Sequence, residues 1–532
     1  VAILLRNLAR TEIARSFFRD IQNENDFYHF YVGRTQEWDD EEDPESPVDS
    51  VSYNNTSHRN MLFTKRINSS DVVLMARRID WASGEVYDHY DDSLGELDSE
   101  GNIYEADSGA QSLIDANFYV MTDEYNVYKC LDNNGGAIST TKPTGTDVIT
   151  LETADGYVWK FLFRVETADV IKFLTPEFIP VRKMSGVGVP LFDINGLIGS
   201  IAVTSGGSSY ETVPTVIING DGTGATAHAV LTSNAVSSIV VDTAGYGYTF
   251  AYITFDGGGG AGAAATATLG AIESSTLQEN VEAAAISGTL DRIDIINPGV
   301  DYETGDINVI ITGDGEGAEA TATANADGEI ISIEVTDPGE GYTFAEITIS
   351  NTFGVGTNAT ARAIVSPVFG HGGNPQRELF ATNLCVSVNL TNDTSDYFLN
   401  NDFRQLGIIK NIGTFDDSSV PFQTGTGTTC YVISVASTTP YNMDDVITSN
   451  DGGRFIVVQI VGSTVYLLPI IPLITASSTL ANITTPASNL TINTLTEPDV
   501  YSNSGEILYI DNRTFIIRQE DQVEKIRTIL KF

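Results

Sequence analysis

The sequence predicts a mainly β, multi-domain protein: a β-sandwich-like scaffold with an N-terminal helix and inserted modules of stacked β-repeats. Three observations carry that expectation. Glycine is abundant, at 48 of 532 residues, which suits a turn-rich β protein. Short runs of aromatic and β-branched residues, bounded by Asn, Asp, Gly and Pro, recur along the chain. A Gly-x-x-Tyr turn leading into an alternating apolar run occurs four times between residues 198 and 366. The length suggests roughly three or four domains at about 150 residues each. A hydrophobic content of 42 % is enough to fill their cores.

Residues 1–22 read as an amphipathic helix. Leu5, Ala9, Ile13, Phe17 and Ile21 recur at fourfold spacing, and Ala14 and Phe18 widen the stripe. Arg6, Arg10, Arg15 and Arg19 line other faces, a basic cluster that either docks on an acidic neighbour or is simply solvated. Residues 23–197 form the first part of the scaffold, with strands in DFYHFYVGR, NMLFTKRI, DVVLMARRI, NFYVMT, NVYKCL and GYVWKFLFRV. Two acidic stretches, 37–49 and 85–107, read as solvated loops because neither has the D-x-D-x-D-G spacing of a calcium loop.

Residues 198–366 hold the repeats. SIAVTS, SIVVDT, RIDIIN and SIEVTD open the four copies, and Gly207, Gly245, Gly299 and Gly339 stand three places before Tyr210, Tyr248, Tyr302 and Tyr342. Pro298-Gly299 and Pro338-Gly339 suit the centre of a type II turn, where Pro presets φ and Gly supplies a positive one. A second strand follows (TVII, YITF, INVII, EITI), then a Gly-rich turn and a third strand in which alanine alternates. Ala225, Ala227 and Ala229 mark it in copy one, Ala318, Ala320, Ala322 and Ala324 in copy three, and Ala359, Ala361 and Ala363 in copy four. Period two identifies a strand despite alanine's helical preference. The longer gap between Tyr248 and Tyr302 marks an insert near 270–289. The modules are expected to stack in series, each burying its face on the next.

Residues 367–415 return to the scaffold through a linker, FGHGGNPQREL. Residues 416–497 are a second inserted β domain, with strands CYVISV, RFIVVQIV and STVYLLPII. Residues 498–532 supply the C-terminal scaffold strands, with a tight turn at Asp511-Asn512.

No catalytic constellation stands out. His29, His58, His89, His228 and His371 are scattered, and Cys130, Cys385 and Cys430 have no paired spacing, so they read as buried small hydrophobes. Gly370-His371-Gly372-Gly373 faintly resembles the oxyanion loop of esterases, but no G-x-S-x-G accompanies it. The Gly-rich turns 219–224 and 313–317 carry acidic residues and lead into no helix, which disfavours phosphate binding. The expectation is a protein that is not an enzyme, with no cofactor and no metal. With 71 acidic against 28 basic residues the net charge is −43, which repels nucleic acid and anionic lipid. The apolar run at 455–474 is broken by Gln459, Ser463, Thr464, Pro469 and Pro472, so no membrane span is expected. Arginines interrupt the N-terminal apolar stretch, which therefore does not read as a signal peptide.

Six segments carry a family likeness: YVGRTQEW (31–38), RRIDW (77–81), NVYKCLDNNGG (126–136), DGYVWKFLF (155–163), NDFRQLGIIKN (401–411) and the tail SGEILYIDNRTFIIRQEDQVEKIRTILKF (504–532). In this order they resemble the homodimeric baseplate wedge subunit of T-even-type contractile-tailed phages. The likeness is strongest at Gly505-Glu506, Asn512-Arg513 and Phe532, then at Phe403-Arg404-Gln405 and Gly156-Tyr157-Val158-Trp159. It covers about residues 20–185, 375–415 and 500–532. The repeats and the unit at 416–497 depart from the family and look like insertions, as in related phages of marine cyanobacteria. The resemblance implies a structural virion protein of the tail baseplate, assembled in the host cytoplasm. It implies a homodimer that meets other wedge proteins and tail-fibre or peripheral baseplate proteins, and relays the rearrangement that triggers sheath contraction. Because Trp and Arg are enriched at interface hot spots, the candidate anchors are Arg34, Trp38, Trp81, Trp159, Phe403, Arg404 and Arg513.

Two other readings compete. A glycan-binding adhesin needs an aromatic platform, for which Tyr246, Tyr248 and Phe250 are the dense candidate. A polysaccharide lyase or hydrolase needs a charged cluster on one repeat face, where only Arg292 and Arg362 stand among the strands.

Overall fold

The computed structural model describes residues 2–22, 26–97, 101–184, 197–220, 223–246, 248, 251–270, 273–390, 403–423, 425–438, 441–484, 490–516 and 524–532. The chain is mainly β, with 47 % strand against 10 % helix, as the strand patterns predict. It divides into two compact units, one of residues 1–15, 73–384 and 531–532, the other of 16–72 and 385–530. The first scaffold segment is thus split at Val72/Val73, which a linear reading does not anticipate.

The helix Ala2–Gln22 forms where its periodicity predicts and buries Ala14, Phe18 and Ile21 of the expected stripe, but not Ile13. Ile13 is 55 % exposed, whereas Thr11, Ala14, Arg15, Phe18 and Ile21 are buried. A strict fourfold spacing drifts by about 40° per step on a helix of 3.6 residues per turn. A stripe that stays on one side must mix steps of three and four, as these buried residues do. Leu5 lies outside the described side chains.

In the second unit, five antiparallel strands form one sheet in the order Thr426–Thr428, Met61–Arg66, Tyr28–Gly33, Gln405–Lys410, Glu506–Asn512. Asp511 and Asn512 make no tight turn; they end the last strand opposite Leu406 and Gln405. Between the first two scaffold strands lies an unanticipated helix, Val51–Asn60, capped by Ser50, whose hydroxyl accepts from the Tyr53 amide at 3.2 Å. The inserted domain is a closed barrel of Tyr431–Val435, Thr464–Ile471, Arg454–Val461, Val446–Ser449, Thr479–Asn482 and Leu490–Thr496. Alternate residues point inward, among them Ile433, Val435, Phe455, Val457, Val465 and Leu467. The apolar run near 455–474 is one hairpin of this barrel. Among the described residues, no helix is long and apolar enough to cross a membrane.

In the first unit, a sheet of Tyr119–Met121, Asn126–Asp132, Val158–Arg164 and Thr150–Glu152 buries Tyr128, Cys130, Tyr157, Trp159 and Phe161 on one face. The insert between repeat copies two and three is a helix, Glu273–Ala284, and its fully buried Val281 packs into that core.

The repeats do not stack in series; they fold in pairs. Leu197–Ser208 runs antiparallel to Ala261–Gly270, Thr215–Gly220 to Ala251–Asp256, and Thr223–Thr232 to Ala235–Tyr246. The first strand of each copy therefore pairs with the third of its mate, and the second with the second. Copies three and four repeat this with Leu290–Asn297 on Thr360–Val365, Ile307–Gly313 on Ala345–Asn351, and Glu316–Ala324 on Ile330–Glu340. Each pair packs a four-stranded sheet and a two-stranded sheet around an interior lined by both copies, with the alanine files facing in. Gly339 does take a positive φ, 60°, but inside its strand, beside Gly317 at 84°, not in a free turn. A Cβ on Gly339 would lie 2.5 Å from the Ala318 nitrogen, so the position needs glycine on both counts.

The tyrosines lock the pairs. Tyr302 of copy three lies against Gly356 of copy four, and Tyr342 of copy four against Gly315 of copy three. The Tyr302 hydroxyl accepts from the Ala359 amide and the Tyr342 hydroxyl from the Ala318 amide, both at 3.4 Å. The expected linker after the repeats is also corrected. Gly370, Gly372, Gly373 and Asn374 are buried, and a short helix, Pro375–Glu378, follows. Its glycines permit close packing: a Cβ on Gly373 would meet the Ala285 methyl at 3.1 Å.

Candidate functional site

Most of the unusual chemistry in the chain gathers in the first unit, where the scaffold sheet meets the second repeat pair. The strand Asn126–Asp132 carries Lys129, the stretch before it supplies His89 to Asp92, the repeats supply Asp291, Arg292, Asp294 and Arg362, and the buried turn after them supplies His371 and Glu378. A cleft of about 380 Å³ opens here, lined by Asp132, Lys160, Asp291, Arg292 and His371 beside apolar Val158 and Leu290.

Lys129 and Glu378 form a fully buried pair, Nζ to Oε2 3.2 Å. The Lys129 ammonium lies 3.8 Å from the centre of the Tyr90 ring. Burial lowers the Lys129 pKa, against the pull of the Glu378 and Asp291 charges. Burial likewise lowers that of Lys160. His371 Nε2 meets Asp291 Oδ2 at 2.6 Å, and the Tyr90 ring meets the imidazole edge-on at 5.2 Å. Among the described residues, His371 Nδ1 has no hydrogen-bond partner.

Above it runs a network of charges. Arg362 donates to both Asp91 oxygens, at 3.0 and 2.6 Å, and to Asp294 at 3.2 Å. Arg292 donates to Asp294 at 2.9 Å and to the Tyr90 and Leu131 carbonyls. Asp92 has its pKa pushed up to about 7, by burial first and then by the Asp91 charge. Among the described residues, His89, Asp91 and Asp294 are the one group of metal-ligating side chains within mutual reach. Two guanidinium groups already match those carboxylates, so a cation would have to displace Arg362. The arrangement suits an ion-pair network that fastens repeat to scaffold. The two arginines singled out in the repeats belong to it, facing inward to the scaffold rather than outward to a substrate.

The acidic stretch 85–107 is correspondingly not a solvated loop at its start. Tyr87, Asp88, Tyr90 and Asp91 are buried. Asp88 is satisfied by the Ser108 amide and hydroxyl and the Asn117 amide, at 2.7–2.9 Å. Burial of an acid is tolerated where donors surround it.

The seven expected anchors turn mostly inward. Trp159 is fully buried and stacks on Tyr157 at 5.4 Å, and Trp81, half-buried, packs on the same core. These two are core residues of the first unit. In the second unit Trp38 is buried, with its indole N–H donating to the Arg513 carbonyl at 2.9 Å and the Arg34 guanidinium 3.5 Å over its ring. Phe403 is buried, and Arg404, also buried, pairs with Glu41 at 2.8 Å and donates to the Thr35 carbonyl. Arg513 is partly exposed and pairs with Asp511 at 2.8 Å. Trp38, Trp159, Phe403 and Arg404 are thus spent on contacts within the chain, because an aromatic or guanidinium needs a satisfied burial and finds it locally. The sequence reading missed Glu41, which it assigned to a solvated loop; its signal was its place three residues after Trp38, whose amide it accepts at 2.7 Å.

Tyr248, one of the three residues of the expected glycan platform, is buried; the Tyr246 side chain and Phe250 lie outside what the structure describes. The three cysteines are buried and joined in no disulfide, as their spacing suggested.

No protein-family model matches the chain, and no curated protein matches it.

Proposed function

We propose that the chain is a structural subunit of the baseplate wedge of a contractile phage tail, acting as a homodimer that binds neighbouring wedge proteins and passes on the rearrangement that releases the sheath. One observation carries the reading. Three of the six segments that resemble the wedge subunit, at 31–38, 401–411 and 504–532, lie far apart in sequence yet contribute adjacent strands to one sheet. Contacts of Trp38 with Arg513 and of Arg404 with the 35–41 stretch join the same three segments. The segments without family likeness form sheets of their own, a closed barrel at 431–496 and the paired repeats.

The role asks for stiffness and interface area, not for a chemical step. A dimer of this type buries well over about 1,500 Å² in total. Sedimentation equilibrium of the full-length chain tests it: the expected species is a dimer of the 57.2 kDa chain that persists from low to high salt. A monomer at all concentrations would count against the proposal, and a trimer would favour a fibre-like adhesin built on the repeats.

A further inference from the structure

We propose that Lys129 and Glu378 condense to an intramolecular amide, an isopeptide cross-link that closes the chain around the whole repeat region. The proposal does not depend on the baseplate reading. The two side chains are 0 % and 1 % exposed, with Nζ 3.2 Å from Oε2. The ammonium lies against two aromatic rings, Tyr90 at 3.8 Å and Phe118 at 5.9 Å, with the Asp291 charge also acting on it. Burial this complete penalises the charged pair relative to the neutral amine and acid. Proton transfer from Nζ to Oε2 gives that neutral form and frees the nitrogen lone pair.

The other carboxyl oxygen is already placed for attack. Glu378 Oε1 accepts from the Gly372 amide at 2.8 Å and from the Asn374 amide at 3.2 Å. These two donors would hold the negative charge that develops on Oε1 when Nζ adds to Cδ. The N–C bond forms, the Cδ–Oε2 bond breaks, and Oε2 leaves as water. Two of the ammonium's protons leave with that oxygen and the last stays on the amide nitrogen, so no oxidant, cofactor or second substrate is consumed. Gly372 and Gly373 matter here because a side chain at either would push the buried turn off its neighbours Val281 and Ala285 and move the donors.

The bond would join the scaffold strand that precedes the repeats to the short helix that follows them, residues 249 positions apart. Tension on the inserted modules would then bypass the long chain between them.

Mass spectrometry of the denatured full-length chain is the test. The expected mass is one water below that of the sequence, with a branched peptide linking the Lys129 and Glu378 segments after proteolysis. Lys129→Met and Glu378→Ala should each restore the full mass and remove the branched peptide. If neither variant folds, the wild-type mass and peptide map still decide. A full-mass wild type overturns the proposal, as does a water loss that maps to an Asp-Gly step such as Asp155-Gly156 or Asp314-Gly315.

Discussion

At His29 the fold holds a titratable ring without giving it a hydrogen bond of ordinary geometry. It sits fully buried on the strand Tyr28–Gly33, across from Arg66. Burial, and then the Arg66 charge, hold its pKa down to about 4, against a weak pull from the Phe27 backbone. The unfolded chain therefore binds a proton near pH 6.5 that the folded chain refuses until about pH 4. Stability is fully present above the first value and is lost as pH falls toward the second, by roughly 3 kcal/mol for a shift of this size. His29→Gln should flatten that fall. Urea denaturation at several pH values between these limits, read as wild type minus variant so that shared carboxylates cancel, measures it; parallel pH profiles would remove His29 as the cause. Arg404 makes the opposite case of a buried charge with partners. Arg404→Met breaks the pair with Glu41 and the bond to the Thr35 carbonyl, and should cost about 2–4 kcal/mol in the same assay. Arg404→Lys should recover little, since one ammonium cannot reproduce the planar fork that serves both.

Pairs of elements explain the repeats better than single copies do. The alanine period, the strand boundaries and the Gly-x-x-Tyr spacing were all legible in the sequence because each is a local signal. The mate of each strand was not, because pairing first strand to third is decided by the interior that two copies enclose. The same limit hid the helix Glu273–Ala284, although Leu277 and Val281 stand at helical spacing and both face the Trp159 core. Glycine density misled in a different way: around Gly370 to Gly373 it marks backbone pressed against neighbours, not a flexible joint. Two predictions follow from pairing. Residues 288–366, which hold copies three and four, should unfold cooperatively as an excised fragment, while copy three alone should show no protected amides in hydrogen exchange. Within the pair, the three atoms that a methyl on Gly356 would meet first all belong to the Tyr302 ring, at 2.5–2.8 Å. Gly356→Ala and Tyr302→Ala should each destabilise the fragment, and the double variant should lose less than their sum by about 1–3 kcal/mol. Simple additivity would mean that the ring and the glycine turn do not lock one another.

Over the whole chain, charge is the term that composition reveals most directly and contacts alter least. The net charge of −43 leaves far more carboxylates than there are arginines and lysines to match them. The buried acids described above are satisfied by donors or guanidinium groups, so the excess sits on the surface, where like charges repel and oppose compaction. What sequence could not reveal is which acids would be spent inside: Glu41, Asp88, Asp91 and Glu378 look no different in the chain from the solvated ones. Raising ionic strength shortens the reach of the surface repulsion from about 30 Å at 0.01 M to about 8 Å at 0.15 M. The melting temperature should therefore climb by a few degrees between these salts, with sodium and magnesium chloride equivalent once matched in ionic strength. An extra rise with magnesium or calcium, lost in His89→Ala, would instead mean that His89, Asp91 and Asp294 take up a cation despite Arg362. A melting temperature that falls with salt would show that surface ion pairs outweigh the net repulsion, and this account of the acidity would be wrong.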